Sequence, residues 1–238
     1  MRWTDGGWEK VSVPNPVRLL ARRFGVRLGV FLNRLGDDIA RASLPRFATN
    51  PKNLTIQLPS RFKNADRIHI GDDVKLGPNS TLSANTEYPG AWLKHPEGRH
   101  ISQRFEPTLS IGNRVTSTGA LQVFALERIT IEDDAMFATN VFICDGLHGY
   151  DNAEEPYKYQ GMSRIAPIRI GRGSWIGQNV VIMPGVTVGE LCIIGANSVV
   201  SKDVPARSIA LGVPARVVRR WDANQNSWID VTGPDSRE

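Results

Sequence analysis

At 238 residues the chain is long enough for one or two domains with a sizeable core, and 41% hydrophobic with 22% charged residues is the balance of a soluble globular protein. No apolar run approaches the ~18 residues needed to span a bilayer. The opening MRWTDGGWEK has no apolar signal-peptide core, and two cysteines, Cys144 and Cys192, are too few for a disulfide framework, so a cytoplasmic chain with reduced thiols is expected. The net charge of +5 suits a phosphorylated small molecule, an anionic membrane surface or simply a solvated basic face. No zinc-finger, RRM or KH pattern is present, and nucleic acid is not expected as a partner.

Residues 1–51 form an N-terminal segment. In PNPVRLLARRFGVRLGVFLNRLGDDIARASLP, Val17, Ala21, Phe24, Leu28, Phe31 and Leu35 follow alternating steps of four and three, with Arg18, Arg22, Arg34 and Arg41 off that stripe. The spacing predicts an amphipathic helix, which Gly25, Gly29 and Gly36 weaken in isolation. The ordinary expectation is a helix packed on its own domain or on a neighbouring subunit. The sharper one is a peripheral contact with an anionic membrane.

From about residue 52 a different period begins. Ile56, Phe62 and Ile68 are six apart, as are Ile70, Leu76 and Leu82, with Gly71 and Gly77 after the first two of that set. Ile111 with Gly112 opens another set, and Ile131, Phe137 and Ile143 make a further one. The frame is regular from Ile170 onward: Ile170, Ile176, Ile182, Val188, Ile194 and Val200, followed one residue later by Gly171, Gly177, Met183, Gly189, Gly195 and Ser201. Four residues after each aliphatic stand Ser174, Val180, Val186, Cys192, Ser198 and Val204, all small or β-branched. Six of six in register argue against chance spacing in an ordinary β-sandwich.

A hexad repeat suits a parallel β-helix whose coil is a triangle of three hexads. The aliphatic points inward, and the glycine relieves crowding at the corner. Two stretches break the frame, residues 84–109 and 145–168, both rich in Pro, Gly and charge (NTEYPGAWLKHPEGRH and DGLHGYDNAEEPYKYQG). Long excursions from a compact repeat are commonly functional. Residues 221–238 read as a polar, loosely ordered tail in which Trp221 and Trp228 are available to pack.

IGRGSWIGQNVVIMPGVTVGE and IIGANSVVSKDVPARSIALGVPARVVRR closely resemble the hexapeptide-repeat acyltransferases, and within them the O-acetyltransferases that modify sugars, including those of bacterial surface-polysaccharide pathways. The resemblance covers about residues 52–220. It implies a mainly β fold: a left-handed parallel β-helix, a triangular prism of hexapeptide repeats, here with an N-terminal amphipathic helix and two excursion loops. It also implies a homotrimer with active sites between adjacent prisms, and acetyl-CoA as co-substrate.

Acyl transfer to a hydroxyl needs a base at the acceptor, and a positioned His contributes typically ~10²–10⁴-fold. Of four histidines, His69 reads as a surface strand residue, His95 and His100 lie in the first excursion, and His148 stands in FICDGLHGYD where the coil breaks. The family places a catalytic His there in a DHxHGY-like string. Gly146 replaces its first His, while Asp145, His148, Gly149 and Tyr150 remain. His148 is therefore expected as general base. Asp145 is its nearest orienting partner in sequence, with a backbone carbonyl as the alternative. Asn140 and Tyr150 are expected at the acceptor, although a corner Asn tolerating a left-handed backbone is an equal reading of Asn140. Tyr88, Trp92, Tyr150 and Tyr157 offer faces for a sugar.

By the same resemblance the CoA arm runs along Trp175, Gly177, Gln178, Gly195 and Ala196, and its phosphates meet Ser201, Lys202, Arg216 and Arg219. A solvated end-cap is the plain alternative for RVVRRW. No catalytic metal is expected, since only His148 lies in the right region and the cysteines have no metal-ligand spacing. The function implied is acetyl-CoA-dependent O-acetylation of a sugar. The alternatives are N-acetylation of an amino sugar or sugar nucleotide, and a non-catalytic scaffold.

Overall fold

The computed structural model describes residues 2–4, 7–9, 16–90 and 92–231. They divide into two compact units, residues 1–43 and residues 44–238.

The first unit contains a short antiparallel pair, Arg2–Thr4 with Gly7–Glu9, and one helix, Pro16–Ala42. Pro16 suits the first helical turn, whose N–H groups lack partners in any case, and the Ser43 N–H donates to the Ile39 carbonyl at 3.0 Å to close the last turn. A Cβ added at Gly25, Gly29 or Gly36 would meet nothing within 4 Å, so no close packing requires these glycines. Of the predicted stripe, Phe24 is 70% exposed and Phe31 60%, with Leu28 and Leu35 also exposed, and Ile39 beyond it is 60% exposed; the side chains of Val17 and Ala21 lie outside the described residues. No helix among the described residues is long and apolar enough to cross a membrane.

The second unit is a prism of three parallel faces. The first face stacks Ile68–Ile70, Thr108–Ile111, Arg128–Ile131, Ile168–Ile170 and Thr187–Val188. The second runs from Thr55–Ile56 through Lys75–Leu76, Thr116–Ser117, Met136–Phe137, Trp175–Ile176 and Ile193–Ile194 to Ser208–Gly212. The third stacks Arg61–Lys63, Thr81–Ala84, Gln122–Ala125, Phe142–Cys144, Val181–Ile182 and Val199–Val200. The chain visits the faces in turn, as a hexad repeat requires. Where the repeat is strict, Ile170 pairs with Val188, Ile176 with Ile194 and Ile182 with Val200, three hexads apart.

The earlier coils explain why the sequence shows broken sets of six. Each carries two extra residues in its first-face strand. Ile68 and Ile70 are both buried, as are Leu109 and Ile111, and Ile129 and Ile131. A slip of two residues is one strand period, so both side chains still point inward. Ile56 pairs with Leu76 and Phe62 with Leu82, which makes the degenerate first coil a full member of the stack. Ser117 takes an aliphatic position and lies beside Phe137, so the small side chain leaves room for the ring. Residues 44–51 belong to the prism: the Ala48 N–H donates to the Ile68 carbonyl, the Thr49 hydroxyl donates to the Ile70 carbonyl at 2.7 Å, and Phe47 meets Phe62 edge-on.

The far end departs from the expected loose tail. Ser208–Gly212 turns back into Ala215–Asp222, which pairs antiparallel with Ser227–Asp230 and widens the second face. Trp221 stands opposite Trp228 with ring centroids 5.5 Å apart, a cross-strand aromatic pair that ties the hairpin. Residues 232–238 of the predicted tail lie outside the described residues.

Candidate functional site

The prism has three edges of different chemistry. Where the first face turns into the second, ions bridge the coils: the Arg114 guanidinium pairs with Asp134 at 2.6 Å, and Glu190 with Arg207 at 2.9 Å. Where the second turns into the third, amides do so. Asn140, Asn179 and Asn197 all adopt left-handed backbone, and their side chains form a ladder in which Asn140 donates to Asn179 and Asn179 to Asn197, each at 2.9 Å. Asn suits such a corner because its short side chain tolerates positive φ.

The third edge, from the third face back to the first, is the one both excursions leave from. Each is rooted in a two-residue antiparallel ladder, Glu87–Tyr88 with Gln103–Arg104 and Leu147–His148 with Met162–Ser163. His148 is exposed, and among the described residues its ring nitrogens have no hydrogen-bond partner. It lines an open cleft of about 370 Å³ with Gly149, Tyr150, Tyr157 and Lys158. The Arg164 guanidinium lies 4.2 Å from the Tyr150 ring centroid. The Tyr88 ring meets the His148 imidazole edge-on, centroids 5.0 Å apart. At Gly146, where the string departs from the family pattern, a Cβ would stand 2.5 Å from Leu126 Cδ1 and 3.1 Å from Ile165 Cγ1.

Two expected residues have other tasks. Asp145 does not orient His148. Its carboxylate is fully buried and accepts the backbone N–H of Leu126 at 2.7 Å and of Glu127 at 2.9 Å, capping the turn of the neighbouring coil. Burial pushes its pKa up, against the lowering effect of those amides. Asn140 belongs to the amide ladder on a different edge from His148, so within one chain the two are not brought together. Tyr150 and Tyr157 do flank His148, whereas Tyr88 uses its hydroxyl to donate to the Lys158 carbonyl at 3.1 Å and is no free platform.

The residues expected along the CoA arm fall in one place. Trp175, Gly177, Gln178, Gly195 and Ala196 lie on the second face and on the amide edge. A Cβ at Gly177 would come within 2.7 Å of the Ala196 nitrogen and the Ile194 carbonyl oxygen, so the coils close up there. Gln178 and Ala196 are exposed beside that contact. The residues expected at the CoA phosphates are divided. Ser201 and Lys202 are exposed on the edge that carries the excursions, Arg216 lies in the end hairpin, and the Nε of Arg219 is already engaged by Asp230 at 2.7 Å. Neither thiol is poised as a nucleophile: burial raises both Cys144 and Cys192. Among the described residues no three His, Cys, Asp or Glu side chains converge on a common point.

Sequence reading missed the contacts between the excursions. Gln103 accepts the Met162 N–H at 2.6 Å and donates to its carbonyl at 3.2 Å. Glu155 pairs with Arg99 and lies 3.3 Å from the His95 Nε2. No periodicity carries these pairings.

Residues 167–202 match the family described as bacterial transferase hexapeptide (six repeats). A probable acetyltransferase of Mycobacterium tuberculosis is 34% identical over 173 residues, covering 71% of this chain and 56% of its own length, little more than half of that relative. A putative lipopolysaccharide biosynthesis O-acetyl transferase of Escherichia coli is 29% identical over 73% of this chain and 82% of its own. The fold is similar to that of a point mutant of AntD, an N-acyltransferase from Bacillus cereus in complex with dTDP and coenzyme A, with a TM-score of 0.59 and 18% identity over 79% of this chain and 90% of that one. With strands that visit three parallel faces hexad by hexad and a repeat at residues 167–202 that matches that family's model, the chain is similar to the bacterial hexapeptide-repeat transferases.

Proposed function

We propose that the chain is an acetyl-CoA-dependent O-acetyltransferase acting on a sugar hydroxyl in surface-polysaccharide synthesis. The observation that carries this reading is the imidazole of His148, exposed, without a hydrogen-bond partner among the described residues and set in an aromatic cleft where the repeat breaks. In the proposed course His148 takes the proton of the acceptor hydroxyl as the new C–O bond forms at the thioester carbonyl. The C–S bond then breaks, and the proton passes from His148 to the leaving thiolate. In this reading the oxyanion is served by a backbone N–H at the Gln178 corner of a neighbouring prism. The raised thiols are consistent with direct attack and no acyl-enzyme.

The reading includes a left-handed coil and a homotrimer. His148 and the Gly177–Ala196 corner stand on edges at opposite ends of the third face, about 20 Å apart for a hexad at ~3.3 Å per residue. A second prism would bring its own amide edge to His148. Outward apolar pairs on the faces, Met136 with Trp175 and Phe124 with Phe142, suit such packing. The Escherichia coli relative's name supports a saccharide acceptor. The N-acyltransferase likeness keeps N-acetylation of an amino sugar as the second reading.

The exposed part of the N-terminal helix's stripe supports a peripheral contact with an anionic membrane, because Arg18, Arg22, Arg23, Arg27, Arg34 and Arg41 outnumber Asp37 and Asp38. Co-sedimentation with phosphatidylglycerol vesicles is expected for the full chain and lost on deleting residues 1–43. Equal binding by both would refute that contact.

The test of function is free-thiol release from acetyl-CoA against sugars, amino sugars, sugar nucleotides and oligosaccharides. Release with hydroxyl acceptors supports the proposal. Release only with amines selects the second reading, and failure to bind acetyl-CoA refutes both.

A further inference from the structure

We infer that the first excursion serves the second: Tyr88 is the positioning residue that holds the plane of the His148 imidazole, and Gln103 locks the two hairpins so that it stays there. The inference rests on His148 being the base of the proposed transfer. A base whose ring swings freely spends little time aligned with the acceptor, and a misplacement of ~1 Å can cost ~100-fold. The carboxylate expected to hold this ring, Asp145, is committed to the amides of Leu126 and Glu127. The side chain that does meet the ring is Tyr88, at 5.0 Å between centroids and 64° between planes, the edge-to-face arrangement favoured by aromatic pairs.

Tyr88 is itself fixed. Its hydroxyl donates to the Lys158 carbonyl at 3.1 Å, and burial raises the phenol so that it keeps the proton it donates. Within its hairpin Tyr88 stands opposite Gln103, and within the other hairpin His148 stands opposite Met162. Gln103 binds both backbone groups of Met162. The four residues therefore close a loop of contacts: ring to ring on one side, amide to backbone on the other. The backbone at Gly161 completes it, with φ of +81° and no room for a Cβ, which would lie 2.7 Å from the Gln103 Oε1. Farther out, the ion pair of Glu155 with Arg99, the approach of Glu155 to His95 Nε2 at 3.3 Å, and the His95 ring on Tyr159 at 4.8 Å bind the tips of the excursions together. All these contacts lie within the excursions, where they add nothing to the buried ladder of the prism. The small set of contacts at the roots converges on His148.

The experiment uses the full chain with isotope-labelled histidine. The four imidazole resonances are assigned by single His→Ala variants and read by NMR alongside steady-state kinetics. Tyr88→Leu removes the ring and is expected to move the His148 resonance alone, while lowering kcat between about tenfold and about 100-fold with KM for acetyl-CoA within about twofold. Tyr88→Phe keeps the ring and loses only the hydroxyl, so the His148 resonance stays near its place and kcat falls less. Gln103→Leu leaves Tyr88 intact and is expected to broaden the His148 resonance selectively, which decides the matter should Tyr88→Leu disturb all four histidines through misfolding. An unchanged His148 resonance in both Tyr88→Leu and Gln103→Leu overturns the inference. A moved resonance in a chain that acetylates no acceptor instead removes the base role and leaves the platform standing.

Discussion

Two edges of one prism make opposite use of the same repeat. The edge between the second and third faces keeps the hexad in every coil. Its Asn140, Asn179 and Asn197 hold one backbone conformation and bond one another in series, and a Cβ at its Gly177 would stand 2.7 Å from the Ala196 nitrogen of the next coil. The edge between the third and first faces interrupts the hexad twice and carries two hairpins whose polar contacts join residues 56, 59 and 70 positions apart. The regular edge offers a uniform slot of backbone, which the proposed function gives to the long thin co-substrate. The interrupted edge offers the exposed imidazole of His148 among tyrosines. Regularity supplies rigidity, and the breaks supply chemistry. In the proposed function neither edge alone holds a complete site.

The largest expected effect sharpens that division. His148→Ala is expected to lower acceptor-dependent thiol release by about 10²–10⁴-fold with a nearly unchanged melting temperature, because the side chain is exposed, forms no hydrogen bond among the described residues and loses only the edge contact with Tyr88. Phe137→Ala should do the reverse. The ring is fully buried in the shared interior, so about 3–5 kcal/mol of stability should be lost in denaturant unfolding, with KM for acetyl-CoA retained in the folded fraction.

Asn179→Ala tests the regular edge alone. It places alanine at φ of +57° and removes both ladder bonds, for an expected loss of about 1–2 kcal/mol. Asn179→Gly, which is free to adopt that backbone, should lose less. Equal losses would mean that the ladder and not the conformation matters.

The smallest effect concerns Asp145. Its folded-state pKa lies above the ordinary 3.8, so its contribution to stability is full below that value and is lost as pH rises through the folded-state value. Asp145→Asn should therefore flatten the dependence of melting temperature on pH above 3.8 without moving the pH profile of turnover. A changed turnover profile would return Asp145 to the catalytic machinery.

The prism was legible because burial imposes a period. Ile170 to Val200 announce themselves since each must point inward, and every one of them does. The earlier coils were harder to read, because a slip of two residues keeps Ile68 and Ile70 both inside while breaking the count, and because Ser117 replaces an aliphatic beside Phe137. His148 was visible as the histidine standing where the period stops. Asp145 was misread because nearness in sequence is not nearness of side chains: one residue of the coil turns inward to cap its neighbour, while the hairpin carries His148 outward. Tyr88, Gln103 and Met162 left no signal, since their pairing depends on two excursions leaving the same edge, a fact of the stack and not of either segment. The Trp221–Trp228 hairpin was missed because its polar composition resembles a solvated tail.

The most direct test of a site shared between two edges is complementation. His148→Ala removes the base from one edge, and Ala196→Trp blocks the slot on the other at an exposed position. Each variant by itself should be inactive in thiol release. Co-expressed and purified as mixed assemblies, they are predicted to regain activity, because an intact His148 edge then meets an intact Ala196 edge across the subunit boundary. No recovery in assemblies shown to contain both chains would contradict the account.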